Sequence, residues 1–414
     1  MVGLGYIGLP TAAVLATQGV RVHGVDTNAT TVAAVQAGDV PFAEPDLSVA
    51  VAGAVARGVL TASTKPTEAD AHVIAVPTPT LPDHAADLTF IEKAAEGIAE
   101  CLRGGEVIVL ESTSPPGTTE RLSKYLKHLR ADLVFPHERG QEPDVAIAYC
   151  PERVLPGSIM VEITTNDRVI GGVTAECGRR AAGLYQVITR AHLYLTSART
   201  AEMVKLAENA YRDVNLAFAN ELSVVCDELE VDAWDVIDLA NKHPRVGILR
   251  PGPGVGGHCI AVDPWFIIAA APGSSHLMRV ARQVNDDKPH WVLRKIEKAL
   301  QLHPGGTVAC LGLTFKADVD DLRGSPALQI VEGLVDSAVA DVLVVEPRLD
   351  ALPSSLLHPA AGRAARLCDL DSGLRGADIV VLLVDHKQFQ ALDPARLEDK
   401  VVIDTRGLFR KSRT

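Results

Sequence analysis

Short runs of β-branched and aliphatic residues alternate with longer, Ala-rich amphipathic stretches through the first half of the chain. This alternation is typical of βαβ units, in which helices connect parallel strands. The pattern predicts strands over residues 20–25, 71–76, 107–111, 133–135 and 145–149. It predicts helices over residues 11–18, 30–37, 88–102 and 118–129.

The pattern changes near residue 198. Residues 199–230 contain neither Gly nor Pro, and their apolar residues recur at helical spacing, which predicts one long helix of about eight turns. Gly and Pro then cluster over residues 244–264, which indicates a structured loop. Alternating strands and helices return after residue 303, in segments 307–313, 327–335, 341–345, 378–384 and 400–404.

These elements predict an α/β protein with two Rossmann-like, doubly wound parallel-sheet domains joined by a central helical domain that contains one long helix. The expected boundaries are 1–197, 198–300 and 301–414. A chain of 414 residues is long enough for two or three domains, each with its own core.

Composition and charge narrow the class of protein. Apolar residues make up 47% of the chain and charged residues 22%, which is typical of a soluble globular protein. The net charge of −12 argues against non-specific binding of nucleic acid. No apolar run approaches the length of about 18 residues that a membrane-spanning helix needs, and no export signal is recognisable. The seven scattered cysteines argue against a disulfide framework or a metal site. We expect a reduced, cytoplasmic protein.

A dinucleotide fingerprint lies at the beginning of the chain. Gly3-Leu-Gly5-Tyr-Ile-Gly8 matches the G-x-G-x-x-G pattern, whose glycines permit a tight turn and the close approach of a pyrophosphate at a helix N-terminus. A plain tight turn in Gly-rich sequence is the alternative. Asp26 ends the next predicted strand, where an acid binds the ribose 2′-hydroxyl. Its neighbours supply no cation for a 2′-phosphate, so the pattern favours NAD over NADP.

The fingerprint normally follows a strand, and here only Met1 and Val2 precede it. Either further residues belong upstream or the first strand is severely shortened, and we expect the former.

Within the predicted long helix, Lys205, Asn209 and Arg212 are spaced i, i+4 and i+7, so they lie within about 60° of one another. A solvated helix face is one interpretation of this polar ridge. The surrounding apolar residues favour the other interpretation, in which the ridge faces a cleft or a partner.

Cys259 lies in the Gly- and Pro-rich segment 251–264. Small buried cysteines usually serve packing, but an irregular Gly-rich loop gives little reason for one, so we interpret Cys259 as a nucleophile. His258 is a possible base for it, although neighbouring side chains often point apart. NAD together with a nucleophilic cysteine favours oxidation of an alcohol through a thiohemiacetal and a thioester to a carboxylate.

The whole chain resembles the UDP-glucose/GDP-mannose dehydrogenase family. The resemblance rests on GLGYIGLP, VPTP (76–79), ESTSPPGTT (111–119), CPERVLPG (150–157), KLAENAYRDVN (205–215), GPGVGGHC (252–259) and GLTFKADVDDLRGSP (312–326). The segments 243–246 and 259–266 are most similar to the members that oxidise UDP-N-acetylmannosamine.

The resemblance implies roles for individual residues. Cys259 would be the nucleophile, Lys205 the general acid/base and oxyanion partner, and Asn209 and Asp263 would order the water and the developing alkoxide. Glu152 and Thr113 would lie near the water and the nicotinamide. Further cofactor contacts would come from Tyr6, Ile7, Thr78, Thr119 and Arg323. The sugar nucleotide would contact Arg153, Val154, Arg212, His243, Arg245, Gly256, Phe315 and Lys316.

The resemblance also implies an NAD-binding first domain, a central dimerisation domain with the cysteine loop, and a UDP-sugar-binding last domain. The last domain lacks a G-x-G-x-x-G motif, which argues against a second NAD there. Three alternatives remain open. The first replaces UDP-N-acetylmannosamine by UDP-N-acetylglucosamine or UDP-glucose as the substrate. The second is a single-step hydroxyacid-type dehydrogenase, and the third is a protein that binds a UDP-sugar without catalysis.

Overall fold

The computed structural model describes residues 1–42, 44–138, 142–154, 157–359 and 362–410. The chain divides into two units. Unit 1 comprises Met1–Glu208 with Trp265–Ala270, and unit 2 comprises Asn209–Pro264 with Ala271–Thr414.

The sheet of unit 1 is built from β1 (Val22–Val25), β2 (Leu60–Ser63), β3 (Ala71–Ile74), β4 (Val107–Leu110), β5 (Ala146–Tyr149), β6 (Arg168–Gly172) and β7 (Leu193–Ser197). β1 pairs with β2, and the other strands follow the order β3-β4-β5-β6-β7. The pairs are parallel except β5–β6, which is antiparallel.

Val2 connects these two groups of strands. It forms parallel bridges to Val25 on one side and to Ile74 on the other. Its amide donates to the Val73 carbonyl at 2.7 Å, and its carbonyl accepts from the Ala75 amide at 2.8 Å. A single residue therefore occupies the position of the first strand, between β1 and β3.

The helices of unit 1 are α1 (Gly8–Thr17), α2 (Ala29–Ala37), α3 (Leu47–Ala56), α4 (Thr89–Ala99), α5 (Thr118–Leu129), α6 (Ile159–Thr165) and α7 (Ala175–Tyr185). Successive strand residues face opposite sides of the sheet. Accordingly, Val73 and Val109 belong to one buried apolar cluster, and Ile74 and Ile108 belong to another. A core on each face of the sheet is the doubly wound arrangement.

Two long helices and two short ones precede the sheet of unit 2 along the chain. α8 (Ala198–Glu228) begins in unit 1 and continues into unit 2, and it is followed by α9 (Ala233–Ala240), α10 (Asp263–Ala270) and α11 (His276–Leu302). In the described part of the chain, no helix combines the length and apolar character needed to cross a membrane.

The sheet of unit 2 has the order β10-β9-β8-β11-β12, and its pairs are parallel. Its elements in chain order are β8 (Thr307–Leu311), α12 (Pro326–Ser337), β9 (Asp341–Val345), α13 (Ser354–Leu357), β10 (Arg366–Leu367), α14 (Leu370–Gly376), β11 (Ile379–Leu382), α15 (Lys387–Gln390), a 3₁₀ turn (Pro394–Leu397) and β12 (Val401–Asp404).

A buried polar seam joins α8 to α11 within unit 2. The Arg282 guanidinium donates to Asp213 Oδ1 at 2.5 Å, and Asn285 Nδ2 donates to the same oxygen at 2.8 Å. Asn220 Nδ2 donates to Asn285 Oδ1, and Asn220 Oδ1 accepts from the Gly252 amide, each at 2.9 Å. Burial raises the pKa of Asp213, although Arg282 opposes the shift. The seam thus ties both helices to the first glycine of the GPGVGGHC segment.

The predicted fold class is confirmed, and the predicted helix over 199–230 corresponds to α8. The predicted strand over 133–135 is wrong. That segment lies in the irregular connection between α5 and β5, where the Asp144 amide and carboxylate bind the backbone of Val134. Among the elements of unit 1, α3, α6, α7, β2, β6 and β7 were not predicted, and in α3 the Val and Gly residues dilute the helical pattern. The three-domain boundaries stay a prediction.

The buried carboxyl of Glu111, which directly follows β4, makes the stability of unit 1 depend on pH. Tyr185 Oη donates to Glu111 Oε1 at 2.6 Å. Burial and the charge of Glu152 raise the pKa of Glu111 to about 7, although Arg168 opposes the shift. Between about pH 4.5 and pH 7, Glu111 is therefore protonated in the folded state but ionised in the unfolded state. The free energy of unfolding consequently falls as pH rises through this window.

We expect Glu111→Gln to change the free energy of unfolding more favourably at pH 8 than at pH 5, by on the order of 1–3 kcal/mol. The reason is that the Gln amide stays neutral at both pH values and still accepts a hydrogen bond from Tyr185. Urea unfolding at both pH values measures the difference. The exposed Glu100→Gln is the matched control, for which we expect the same small effect at both pH values. An equal effect of Glu111→Gln at pH 5 and pH 8 would contradict the prediction.

Candidate active site

The three fingerprint glycines have different local surroundings. Gly3 has a φ of +96°, and a Cβ there would lie 2.2 Å from the Ala75 carbonyl oxygen. A Cβ on Gly8 would lie 1.9 Å from the Gly3 carbonyl oxygen, whereas a Cβ on Gly5 would meet no heavy atom within 4 Å. Gly3 and Gly8 are therefore required by the turn itself, and Gly5 leaves open space beside the start of α1. This space suits a phosphate group approaching the backbone, so the residues fit NAD.

Asp26 lies beside the same turn at the end of β1. Its Oδ2 accepts from the Leu4 amide and its Oδ1 accepts from the Asn28 amide, both at 2.9 Å. The half-exposed ring of Tyr6 stacks on Phe42 with ring centroids 4.2 Å apart, and Ile7 directly precedes α1. The structure thus brings the predicted cofactor residues 3–8 and 26 together.

The predicted threonines lie on the segments that follow β3 and β4. Thr78 Oγ1 donates to the Thr113 carbonyl at 2.7 Å, so these two segments are directly bonded. Thr119, in the first turn of α5, is fully buried. Its role as a cofactor contact stays a prediction.

Glu202 on α8 binds the N-terminus of α5, a contact that the sequence analysis did not anticipate. Its fully buried carboxylate accepts from the Gly117 amide at 2.5 Å, the Thr119 amide at 2.7 Å and Thr119 Oγ1 at 2.6 Å. Burial raises the pKa of Glu202, and these hydrogen bonds oppose the shift. One turn later on the same helix lies Lys205. In the sequence, the Glu202 contact was indicated only by the presence of an acidic residue three positions before Lys205.

Glu152 is a buried carboxylate with two partners. Its Oε2 accepts from the Arg168 guanidinium at 2.9 Å, and its Oε1 accepts from the Arg153 amide at 2.8 Å. The negative charge of Glu152 raises the pKa of Arg168 against the opposing effect of burial. The Arg153 guanidinium pairs with Glu208 of α8 at 2.9 Å. Arg168, which the sequence analysis missed, thus fixes the position of the Glu152 carboxylate through this ion pair.

The cysteines differ in their surroundings. Burial raises the pKa values of Cys150 and Cys310 to about 12, so both thiols are unreactive packing groups. Cys259 is half-buried and lies one helical turn before α10. Its carbonyl accepts from the Val262 amide at 3.0 Å and the Asp263 amide at 2.9 Å.

The polar ridge of α8 meets the beginning of α10 through one hydrogen bond. Asn209 Nδ2 donates to Asp263 Oδ2 at 2.5 Å, and Asp263 is buried. Lys205 is half-buried and Arg212 is exposed. The pairing of Asn209 with Asp263 brings together two of the residues that the resemblance singled out.

The glycines before Cys259 lie directly against the segment that follows β8. A Cβ on Gly256 would lie 2.3 Å from the Gly324 carbonyl oxygen, and a Cβ on Gly257 would lie 2.9 Å from the Phe315 ring. The His258 ring packs edge-on against Phe315, with centroids 6.3 Å apart. That His258 serves as the base for Cys259 stays an open interpretation.

Several predicted ligand-binding residues lie at the surface or pair locally. Lys316, His243 and Arg245 are exposed, and Arg323 forms an ion pair with Asp321 at 2.6 Å. Val154 packs against a buried apolar cluster of unit 1. Positions 155–156 of the CPERVLPG motif lie outside the described residues.

The sequence matches three domain profiles of one family. Residues 1–189 match the UDP-glucose/GDP-mannose dehydrogenase family NAD binding domain, residues 199–287 match its central domain, and residues 309–411 match its UDP binding domain.

Individual proteins are similar over the full length. The chain is 53% identical to the NDP-N-acetyl-D-galactosaminuronic acid dehydrogenase of Ralstonia nicotianae, over 100% of this chain and 96% of the relative. It is 49% identical to the UDP-N-acetyl-D-mannosamine dehydrogenase of Yersinia pestis, over 99% and 98%. The solved structure of UDP-D-ManNAc dehydrogenase from Pyrococcus horikoshii superposes with a TM-score of 0.86 at 33% identity and covers 99% of this chain and 95% of that chain.

The glycine geometry predicts that Gly5 and Gly8 tolerate a methyl group differently. We expect Gly5→Ala to weaken NADH binding by about tenfold or more, because the Cβ occupies the phosphate approach, while the free energy of unfolding changes by less than about 1 kcal/mol. We expect Gly8→Ala to lower the free energy of unfolding by about 1–3 kcal/mol or more through overpacking. NADH fluorescence titration and urea unfolding measure the two effects. A Gly5→Ala variant that binds NADH as tightly as the unaltered protein would contradict the assignment of this turn.

Proposed function

The chain belongs to the UDP-glucose/GDP-mannose dehydrogenase family, and from this premise we propose that it oxidises UDP-N-acetyl-D-mannosamine at C6 to the uronate. The product would serve bacterial surface polysaccharide synthesis, and the cytoplasm is the expected compartment.

The hydrogen bond between Asn209 and Asp263 is the observation that supports the chemistry of this proposal, and the choice of sugar rests on the similarity to proteins named UDP-N-acetyl-D-mannosamine dehydrogenase. This hydrogen bond joins the side-chain amide of Asn209 on α8 to the buried carboxylate of Asp263, which lies four residues after Cys259 in the chain. These are the polar groups that a thioester-forming cysteine needs nearby to order water. A single-step hydroxyacid-type dehydrogenase has no use for the cysteine.

In the first oxidation, Lys205 would take the proton of the C6 hydroxyl. NAD accepts one hydride in each of the two oxidations when bound. Lys205 would then stabilise the oxyanion that forms when the Cys259 thiolate adds to the aldehyde carbon. One such donor is worth about 2.7–4 kcal/mol in other enzymes.

The second oxidation converts the thiohemiacetal on Cys259 to a thioester. Water then attacks the thioester carbon, the C–S bond breaks, and Cys259 leaves as thiolate. Asn209 and Asp263 would order this water, with Glu152 and Thr113 nearby. The sum is one alcohol, two NAD⁺ and one water giving one carboxylate, two NADH and three protons.

Cations for the diphosphate would come from Arg153, Arg212, Arg245 and Lys316, despite the net charge of −12. Arg153 pairs with Glu208 of α8, so its guanidinium is directed toward that helix. Val154, His243, Gly256 and Phe315 would line the rest of the sugar-nucleotide site.

A second substrate is supported by the comparison with the Ralstonia protein, which is 53% identical and is named for N-acetyl-D-galactosaminuronic acid. The proteins from Yersinia pestis, Escherichia coli and Pyrococcus horikoshii that are named for N-acetylmannosamine are 49%, 49% and 33% identical to this chain. The UDP-linked N-acetylgalactosamine is therefore the alternative, with the same chemistry at C6.

We expect two NADH per sugar at completion when purified protein turns over UDP-N-acetylmannosamine with excess NAD. Parallel reactions contain UDP-N-acetylgalactosamine, UDP-N-acetylglucosamine or UDP-glucose. Absorbance at the NADH band and mass spectrometry of the uronate measure the outcome. Exclusive turnover of another sugar would overturn the substrate, and one NADH per sugar would overturn the double oxidation.

Cys259→Ala tests the nucleophile in the same assay. We expect uronate formation to fall by about 1,000-fold or more with NADH affinity unchanged, because the aldehyde is no longer trapped on the enzyme. Cys101→Ala, at another half-buried thiol, is the control and should retain full activity.

We also propose a homodimer formed through α8. Tyr211, Phe218 and Val225 recur every seven residues on this helix and are 73%, 54% and 43% exposed. Residues at this spacing lie on one face of a helix, so they form an apolar stripe. Such a stripe is typical of a surface that another helix covers.

We expect Phe218→Asp to shift the protein from dimer to monomer, because a charge in a covered apolar stripe opposes association. Sedimentation equilibrium measures the mass. Val49→Asp, at an apolar side chain of α3 that is 76% exposed, is the control and should leave the mass unchanged. A Phe218→Asp protein with the same mass as the unaltered protein would contradict this interface.

A further inference from the structure

A fully buried histidine and a buried carboxylate meet at the carboxyl edge of the unit 2 sheet. His386 follows β11, and Glu346 directly follows β9. His386 Nδ1 accepts from the Asp318 amide at 3.0 Å, and His386 Nε2 lies 3.2 Å from Glu346 Oε2. Because Nδ1 accepts a hydrogen bond, a proton on Nε2 is directed at Glu346.

The pair holds both ends of the segment 313–318. Glu346 Oε2 also accepts from the Leu313 amide at 2.7 Å and the Thr314 amide at 3.2 Å. Burial acts to raise the pKa of Glu346, but the hydrogen bonds from His386 and from the Leu313 amide lower it. Asp318, bonded to His386, has a positive φ of 61°, which is uncommon outside glycine. The segment is therefore fixed at its beginning and at its end, and Phe315 and Lys316 lie between.

The fixed segment contacts the cysteine loop. The Phe315 ring would lie 2.9 Å from a Cβ on Gly257, and it packs against His258. Gly257 and His258 immediately precede Cys259. The position of Phe315 is therefore coupled by direct contact to the two residues that precede Cys259.

The glycine turn at the beginning of unit 1 has the same backbone hydrogen bonds as the turn at Gly312, but its acidic residue has different partners. Gly312 has a φ of +92°, and its amide donates at 2.9 Å to the carbonyl of Val345, the last residue of β9. In the same way, the Gly3 amide donates at 2.8 Å to the carbonyl of Val25, the last residue of β1. Leu4 binds Asp26 as Leu313 binds Glu346. Asp26 remains half-buried beside the cofactor turn, whereas Glu346 is covered by His386. In unit 2 the acid thus binds protein groups instead of being available to a ligand.

We propose that His386 and Glu346 are positioning residues for the nucleoside diphosphate of the substrate. They hold the 313–318 segment so that the exposed ammonium of Lys316 meets the diphosphate and Phe315 supports the cysteine loop. This inference rests on the proposed function, in which Phe315 and Lys316 contact the UDP group. Neither His386 nor Glu346 touches the ligand.

UDP binding to the full-length protein tests the proposal without any choice of sugar. Isothermal titration with UDP and fluorescence titration with NADH are compared for the unaltered protein and His386→Leu. We expect UDP affinity to fall by about 10- to 100-fold, because two hydrogen bonds that shape the segment are lost, while NADH affinity stays within about twofold. His386→Asn keeps an acceptor for the Asp318 amide, and we expect it to recover part of the UDP affinity.

Thr405→Val is the matched control for loss of a buried hydrogen bond in the same sheet. Thr405 Oγ1 donates to the Leu382 carbonyl at 2.7 Å, and this bond involves no residue of segment 313–318. We expect this variant to lose stability and to keep its UDP affinity. If it loses UDP affinity as much as His386→Leu does, the effect is general destabilisation and the proposal is wrong.

Lys316→Ala shows whether His386 acts through Lys316. We expect the double variant with His386→Leu to bind UDP about as weakly as Lys316→Ala alone, since both act on one group. Additive losses would overturn the positioning role. If the unaltered protein does not bind UDP, the proposed function itself fails; if it binds UDP and His386→Leu binds equally well, only the positioning role fails.

Discussion

The buried carboxylate of Glu202 is the contact on which the arrangement of unit 1 around α8 depends. It satisfies the amides of Gly117 and Thr119 at the start of α5, where a helix leaves its first amides without internal partners. A negative charge at this end of α5 is also favourable to the helix dipole. Because the same carboxylate lies on α8, the helix that carries Lys205 is fixed against the segment that follows β4. Hydrogen bonds to a charged group contribute about 1.5–3 kcal/mol each, and removing Glu202 would leave buried donors unsatisfied.

Two buried ion pairs in the described residues also fix backbone segments that contain predicted site residues. Glu152 is held by Arg168, and Asp213 is held by Arg282. Such pairs add little net stability, since desolvation offsets the attraction, but breaking one costs about 3–5 kcal/mol. Their effect is therefore to select one arrangement of the backbone. In each case the arrangement includes a residue adjacent to a predicted ligand contact: Arg153 follows Glu152, and Arg212 precedes Asp213.

Local sequence patterns predicted those features whose causes are local. Gly3 and Gly8 are needed because a side chain would collide with backbone atoms, and helical spacing places Lys205 and Asn209 on one side of α8. The strand over 133–135 failed because three apolar residues do not distinguish a strand from an irregular segment that buries them. Glu202 and His386 were not predicted as contacts because their partners lie about 40–85 residues away along the chain, and only the folded chain brings such groups together.

The two α/β halves show how one backbone plan can serve different ligands. In unit 1 the residues after the glycine turn are Gly5 and Gly8, and α1 begins at Gly8, so the helix begins next to the open space at Gly5. In unit 2 the corresponding positions are Thr314 and Ala317, and α12 begins only at Pro326. Thr314 Oγ1 donates to the Lys316 carbonyl at 2.9 Å, so the added side chain closes the segment on itself. A helix that starts later cannot present its first amides at the turn, and a cationic side chain is then the available means of binding a phosphate. This difference accounts for an NAD-binding fingerprint in the first half, and it supports the proposal that Lys316 supplies the cation for a phosphate in the second.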